Sequence, residues 1–207
     1  MSRPVITIGP EMSIHDALSL FKKEHIRRAP VIKDGELLGI VSDKDLLNAS
    51  PSPVTSLSVW EIQYLLSKLT VKEVMTPKVI TVTEDTPTEE AARIMADNKI
   101  GGLPVVREMR VVGIITETDL FKLFIELMGA REHGVRVTAL IEDKPGMLAK
   151  ITTSISEAGG NFISFGQFSG KDVGIRAITF KVIGLDKDKT TQIITNFALK
   201  ILDIRET

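Results

Sequence analysis

Gly39-Ile40-Val41-Ser42-Asp43-Lys44-Asp45-Leu46 and Gly113-Ile114-Ile115-Thr116-Glu117-Thr118-Asp119-Leu120 are two versions of one phrase, and their relation decides how the chain folds. A shift of 74 positions superposes them and, without a gap, superposes their surroundings. Val5-Ile6-Thr7 falls on Val79-Ile80-Thr81, Ala17 on Ala91, Ile26 on Ile100, and Pro30-Val31 on Pro104-Val105. Residues 1–46 and 75–120 therefore read as two copies of one unit, because self-similarity at a fixed offset is the signature of a structural repeat.

The unit can be read outward from the phrase. Val5–Ile8 is a short β-branched run closed by Gly9-Pro10 and predicts a strand. Ser13 is placed as the N-cap of a helix carrying Ile14, Ala17, Leu18 and Phe21 on one face. Ala29–Ile32 and Leu37–Val41 are apolar runs separated by Lys33-Asp34-Gly35-Glu36, whose Asp-Gly pair predicts a tight hairpin. Ser42 then opens a second helix. The order is strand, helix, strand, hairpin, strand, helix. The second copy repeats it, with Thr86 or Thr88 starting its first helix and Glu108-Met109-Arg110 at the turn.

The two copies are not framed alike. Met1-Ser2-Arg3 aligns on Met75-Thr76-Pro77, but Leu69–Val74 leads into the second copy and has no counterpart before the first. The chain is expected to begin a few residues short of a complete first repeat. Between the copies, Asn48–Ser58 is rich in Ser and Pro and predicts an exposed loop. A helix from about Val59 to Leu69 follows. Its Trp60 and Tyr64, the only Trp and Tyr in the chain, share a face. Packing onto a repeat or a dimer partner is the expectation for that face, with a partner-docking surface as the alternative.

After a helix from about Glu117 to Met128, with Gly129 as its C-cap, Arg131–Gly134 reads as a polar connection and a domain boundary. The pattern then changes. Val135–Ile141 predicts a strand, and Pro145-Gly146 starts a helix through about Ala158, with Pro145 at its first position and Gly159-Gly160 ending it. Asn161–Phe168 and Ile175–Ile183 predict strands around Ser169–Asp172, followed by a helix over 187–197 and a strand over 200–204. That order, βαββαβ, is the ferredoxin-like arrangement.

Composition excludes several functions. With 26 basic and 27 acidic residues the net charge is −1, which gives no electrostatic footprint for nucleic acid or anionic lipid. Cysteine is absent, so there is no disulfide framework, thiol nucleophile or thiolate metal site. His15, His25 and His133 lack a ligand spacing, and no metal site is expected. No apolar run approaches membrane-spanning length, and no signal peptide is evident at the N-terminus; a soluble cytoplasmic protein is the expectation. No enzyme signature is found. Gly166–Lys171 is one residue too short for a phosphate loop and is followed by Asp172 rather than Ser or Thr. Nor is there a Gly-x-Ser-x-Gly elbow or a Ser, His, Asp set.

The repeated phrase has the chemistry of a nucleotide site. Gly lets a backbone approach a ligand, a helix N-terminus offers N–H groups to phosphate, Ser42 or Thr116 adds a hydroxyl, and Asp45 or Asp119 can accept ribose hydroxyls. The structural alternative is a capping box, in which Ser42-x-x-Asp45 and Thr116-x-x-Asp119 only close a helix end.

Gly-hydrophobic-x-Ser/Thr-x-x-Asp, with its upstream hydrophobic-Thr-hydrophobic run and x-x-Pro-Val strand, resembles the CBS domain family. Two tandem copies resemble a CBS pair, or Bateman module. Glu142–Leu148 and Ala158–Ile163 resemble the ACT domain signature, and the combination is similar to the acetoin-utilisation AcuB family. The resemblance implies an α/β (α+β) chain of tandem CBS repeats followed by a ferredoxin-like ACT domain. Its parts would be a first repeat over 1–47, N-terminally incomplete, a loop and helix over 48–69, a second repeat over 70–128 and an ACT domain over 134–207.

By the same resemblance, ligands lie in clefts between the repeats. Ser42 and Asp45 would hold ribose and phosphate in one cleft, with Ile40, Val79, Ile80 and Ile100 around adenine. The second would use Thr116 and Asp119 with Ile114, Val5, Ile6 and Ile26. Arg27 and Arg28 are expected to border the second, whose edge the residues before Met1 would also form, and to draw a polyphosphate there; the alternative is a solvated helix end. The ligand would be AMP, ADP or ATP, or else S-adenosylmethionine or NAD, with no cofactor required. The ACT resemblance implies an amino-acid effector at a domain interface, contacted by Asp143, Lys144, Pro145, Gly146, Met147 and Leu148 and by Gly160, Asn161 and Ile163. The alternative is a segment that only dimerises. A non-catalytic regulatory homodimer acting on a further protein is the resulting expectation, with no nucleic acid or membrane partner. An amino-acid-responsive regulator and a subunit of a metabolic enzyme are its rivals.

Overall fold

Residues 4–49, 58–170 and 172–207 are described by a computed structural model. The shortfall expected at Met1–Arg3, residues 50–57 of the Ser/Pro loop and Lys171 of the later turn fall outside them. Two compact units make up the chain, Met1–Leu120 and Phe121–Thr207.

In the first unit, Ser13 Oγ accepts from Asp16 N at 3.1 Å and so caps α1 (Ile14–Glu24), whose buried face is Ile14, Ala17 and Phe21. β1 (Arg28–Lys33) and β2 (Glu36–Ser42) pair antiparallel across Asp34-Gly35, and both turn residues have positive φ, 52° and 86°. That is the conformation a two-residue hairpin needs. α2 (Asp43–Asn48) follows, capped by Ser42. After α3 (Val59–Lys68) and α4 (Val71–Val74), the second copy supplies β3 (Val82–Thr83), α5 (Thr88–Asn98), β4 (Gly102–Arg107), β5 (Arg110–Thr116) and α6 (Glu117–Leu127). Thr88 is the first helical residue of α5, behind Pro87. The β4–β5 turn places Glu108 and Met109 at φ 47° and 67° with no glycine, which costs L residues about 1–2 kcal/mol each.

The structure differs from the sequence reading at several points. Val5–Ile8 is not a strand: of these residues Ile8 alone enters a ladder, donating to Pro30 O at 3.1 Å and accepting from Ile32 N at 2.9 Å in a parallel bridge. Its counterpart β3 pairs with β4 for two residues, Val82 and Thr83, because the run before it leaves the sheet. Of the packing expected for the face of α3 that bears Trp60 and Tyr64, on a repeat or on a dimer partner, the first is not seen: the two side chains are 82% and 64% exposed in the single chain. Among the described side chains of α3, Ile62, about 200° round the helix from each, packs against the first core. Lys68 Nζ lies 5.4 Å from the Tyr64 ring centroid.

The lead-in to the second copy also packs into the core of the first. Val71 is fully buried in the core formed by Ile8, Ile14, Ala17, Phe21, Ala29, Val31, Val41 and Leu46. Ile14 N donates to Leu69 O and Val71 N to Met12 O, both at 2.9 Å, and Lys72 N donates to Pro10 O at 3.0 Å. Ile40 and Thr76 then exchange backbone hydrogen bonds of 3.0 and 2.8 Å. Gly39 is the residue that admits this crossing: a Cβ there would stand 2.6 Å from Met75 Sδ and 2.9 Å from Thr76 O.

In the second unit, β6 (Val135–Glu142), α7 (Met147–Glu157), β7 (Asn161–Ser169), β8 (Ile175–Ile183), α8 (Lys187–Thr195) and β9 (Ala198–Glu206) follow the predicted βαββαβ order. The sheet runs β7-β8-β6-β9 with every neighbour antiparallel. β6 alternates without a break, burying Val135, Val137, Ala139 and Ile141. They share a core with Ile151 and Ile155 of α7, Ile194 of α8 and Phe180, whose ring meets Phe162 edge-on at 5.4 Å. Pro145 is not at the first helical position. Gly146, at φ 80°, is the N-cap of α7, and Pro145 precedes it in the turn closed by Met147 N donating to Lys144 O. Gly159 ends the helix at φ 93° as expected. The connection at Arg131–Gly134 is held within this unit, because the buried Lys181 Nζ donates to the carbonyls of Gly129 and Glu132 at 2.9 and 2.8 Å.

Gly39→Ala is expected to destabilise the protein by about 1–3 kcal/mol, the cost of overpacking. Glycine-to-alanine changes at unstrained positions are stabilising, so the sign of the shift in a urea unfolding midpoint decides whether the crossing is as tight as its geometry implies.

Candidate functional site

The site is a cleft of about 450 Å³ in the first unit, lined from one copy by Arg28, Ile40, Ser42, Asp43, Lys44 and Asp45. The other copy supplies Thr76, Lys78, Val79, Ile80, Lys99, Ile100, Gly101 and Gly102. Its size is that of a small-molecule site. The hairpin delivers Ile40 and Ser42 at the end of β2, and the Ile40–Thr76 exchange brings the approach of the second copy alongside. Val79 and Ile80 reach the cleft because their run leaves the sheet, and Ile80 is 39% exposed there. Lys99, in the left-handed conformation at φ 54°, turns the chain out of α5 so that Ile100 and Gly101 face the opening.

At the cleft's edge the repeated phrase is a closed hydrogen-bond ring. Ser42 N and Oγ both donate to Asp45 Oδ2, at 2.8 and 2.6 Å, while Asp45 N donates to Ser42 Oγ at 3.2 Å. Thr116 and Asp119 form the same ring at 2.9, 2.7 and 3.4 Å. The capping reading is therefore realised in both copies. It also recurs at Ser58 with Glu61 and at Thr70 with Glu73, so the box is a general device of this chain. The ring changes what the site can offer. Asp43 N donates to Arg27 O, Lys44 N to Asp43 Oδ1 and Asp45 N to Ser42 Oγ, so the first-turn amides of α2 are engaged. The expectation that this helix end presents free N–H groups to phosphate is corrected. The carboxylate keeps acceptor capacity, since an ionised Asp has about four lone-pair sites and the cap uses two.

Cations supply what the amides do not. Arg28 is half-buried, and burial lowers its pKa from the ordinary value, opposed by the nearby Glu117 and Asp43 carboxylates. Its guanidinium lies across the backbone of the second copy: a Cβ on Gly101 would collide with Arg28 Nη2, and one on Gly102 would come within 2.6 Å of Nη1. Lys44, Lys78 and Lys99 complete the cationic lining.

The six residues expected in the first cleft, Ile40, Ser42, Asp45, Val79, Ile80 and Ile100, all line this one. Arg28, expected at the second, lines it too, and Lys99, Ile100, Gly101 and Gly102 form one of its walls. Arg27, which is exposed, is not among the residues lining this cleft, and neither are Val5, Ile6, Ile26, Ile114, Thr116 and Asp119. Ile26 packs against the first core and Ile114 is buried in β5. Sequence reading missed the role of Gly101-Gly102. The signal was available in the 74-residue shift, which places Arg27-Arg28 on those two glycines.

In the second unit the residues expected around an amino acid are divided. Asp143 pairs with Arg176 at 2.8 Å and Lys144 with Glu142 at 2.8 Å, at the end of the sheet where Glu142 faces Ile175. Pro145, Gly146, Met147 and Leu148 continue from there into α7. Gly160 and Asn161 lie at the opposite end, where Asn161 faces Ile183 and Gly160 packs on Ile155 and Leu185. Ile163 sits in a β7 irregularity against Gly129. A single copy of this unit does not gather them, because α7 and one strand length separate the two groups. Among the described residues no cluster of acids and histidines could hold a metal ion, and no helix is long and apolar enough to cross a membrane.

Two tandem motif-bearing copies lining one cleft define a paired-repeat module. The chain matches the CBS domain over residues 1–52 and 71–126 and belongs to that family. A CBS domain-containing protein of Dictyostelium discoideum is 32% identical over 130 residues, covering 62% of this chain and 90% of that one. L-Aspartate semialdehyde sulfurtransferase of Methanocaldococcus jannaschii is 34% identical over 126 residues, 60% of this chain but 22% of the enzyme. Among solved structures, the CBS domain pair of protein MJ0100, in complex with 5′-methylthioadenosine and S-adenosyl-L-methionine, is similar at a TM-score of 0.51 and 33% identity. That match covers 64% of this chain and 94% of the other. A Vibrio cholerae protein named for acetoin utilization, AcuB, is similar at a TM-score of 0.52 and 33% identity, over 63% of this chain and 90% of its own.

Ser42→Ala, which opens the ring, is expected to cost about 0.5–2 kcal/mol of stability with no ligand present. Chemical denaturation of the variant measures it, and a change near zero would mean that the cap is not formed.

Proposed function

We propose that this CBS pair binds an adenosine-containing nucleotide in the Ser42–Asp45 cleft and acts as a non-catalytic sensor. Its occupancy is relayed to the second unit or to a partner protein. The observation that carries the reading is the convergence of Ile40, Val79, Ile80 and Ile100 with Asp45 in one cleft. An adenine ring fits between the aliphatic side chains, and the ribose hydroxyls donate to the acceptor capacity that the cap leaves on Asp45. The adenosine compounds in complex with the similar MJ0100 domain pair support the ligand class. Thr116 and Asp119, with Val5, Ile6, Ile26 and Ile114, are the symmetry-related candidates for a second adenosine. We read the second unit as ACT-like on its βαββαβ order and on the Glu142–Leu148 and Ala158–Ile163 segments. An amino-acid site using both of its residue groups needs a second copy of the chain, which fits a homodimer.

The mechanism is a shift of population. A nucleotide held by residues of both copies favours the arrangement in which those residues are close, by as much as its differential affinity and no more. At one hundred times its Kd a ligand supplies about 2.7 kcal/mol, enough to bias a switch with a gap of that size.

Thermal unfolding with AMP, ADP, ATP, S-adenosylmethionine and NAD tests this, run beside Asp45→Ala and Asp119→Ala. Each variant is compared with its own ligand-free state, since both lose a cap. A saturable rise in Tm that Asp45→Ala abolishes is expected. Absence of any rise with all five compounds would sink the proposal.

A further inference from the structure

The cleft is more selective than its adenosine-shaped walls require. With the first-turn amides of α2 engaged, recognition of whatever is attached to the ribose falls to side chains. Those side chains are Arg28, Lys44, Lys78 and Lys99, set against Asp43 and Asp45, so the lining is cationic in excess. Arg28 is the element most committed to this role. It is half-buried, and among the described residues its guanidinium enters no hydrogen bond or ion pair; Glu117 and Asp43 act on it only through space. A desolvated guanidinium with unused donors is costly unless an anion meets it. The room for it is made by Gly101 and Gly102, where any Cβ would displace it.

We infer that the cleft selects adenosine carrying phosphate, with affinity rising with the number of phosphates, and discriminates against uncharged and cationic adenosyl compounds through Arg28. The inference rests on the adenosine reading above. It separates this chain from the similar structure solved with 5′-methylthioadenosine, which is uncharged, and S-adenosyl-L-methionine, a sulfonium. 5′-Methylthioadenosine leaves Arg28 unmet, and S-adenosyl-L-methionine, whose single carboxylate is outweighed by its ammonium and sulfonium, adds net positive charge to a positive lining. A single phosphoryl group cannot contact cations brought by four separate segments, whereas a chain of two or three reaches more of them.

Isothermal titration of the full chain, in magnesium-free buffer, with adenosine, AMP, ADP, ATP, 5′-methylthioadenosine and S-adenosylmethionine tests the inference. ADP and ATP are expected to bind at least ~10-fold more tightly than adenosine, with a salt dependence that adenosine lacks. Arg28→Gln should reduce that preference by about 10-fold and leave the adenosine affinity within about two-fold. Gly101→Ala keeps the arginine but fills its seat, and should reproduce the loss of preference without removing charge. Circular dichroism establishes that both variants are folded. If adenosine binds but phosphates add nothing, or if S-adenosylmethionine matches ADP, the inference is overturned while the adenosine site stands. If no compound binds, both fall together.

Discussion

The two backbone hydrogen bonds between Ile40 and Thr76 are the constraint on which the first unit depends. They tie the approach of the second copy to the last strand of the first, beside a glycine that has no Cβ to resist them. Upstream of the crossing, Val71 fills the first core; downstream, Lys78, Val79 and Ile80 are delivered to the cleft. One connection therefore serves packing and site geometry together. The first copy is not an independent fold in the usual sense, since it is completed by residues that lie beyond its own repeat boundary. This sharing gives the pair a physical route for communication: a ligand that pulls on Val79 and Ile80 pulls on a segment anchored in the other copy's core.

The capping box shows how one set of atoms can serve stability and recognition without conflict. Ser42 and Asp45 close the helix end whether or not anything is bound, and the same ring forms at Thr116 and Asp119. Closure fixes the carboxylate in place, so its remaining acceptor positions are preorganised and no rotamer entropy is lost when they are used. The cost is that the helix amides are no longer available. Phosphate recognition through a helix N-terminus and carboxylate positioning through a cap are alternatives at this position, and this sequence has taken the second.

Much of this was legible in the residues. The gapless repeat, the Asp34-Gly35 hairpin, the Ser13 and Ser42 caps and the βαββαβ order follow from turn chemistry and periodicity, which act over a few neighbours. The failures share a different cause: each turns on a contact between segments distant in sequence. Val5–Ile8 has strand composition, but only Ile8 finds a ladder. Pro145 is a local exception: it suits a first helical turn, yet the left-handed Gly146 caps the helix, which starts two residues later at Met147. Trp60 and Tyr64 share a face, as spacing required, but Ile62 takes the buried side. Asp143–Leu148 and Gly160–Ile163 look like one signature in a linear reading, while antiparallel pairing sends them to opposite ends of the sheet. The site was legible in its apolar walls and its Asp, because these lie in the repeated motif. Its cations were misassigned, because which copy's arginine reaches which cleft is a property of the crossing.

That last error points to how the duplicated unit has diverged. At the position where the first copy has Arg27-Arg28, the second has Gly101-Gly102, and Arg28 lies against both glycines. Arginine in both copies would place side chains in the same volume and bring like charges together. Glycine in both would leave an empty, unspecific gap. The substitutions are thus complementary, each making sense only with its partner in the other copy. Symmetry of fold is retained while symmetry of charge is broken, which gives the cleft beside Ser42 a guanidinium where the second copy has bare backbone at the corresponding position. An arginine and two glycines at repeat-equivalent positions are enough to make the two halves of a duplicated scaffold inequivalent.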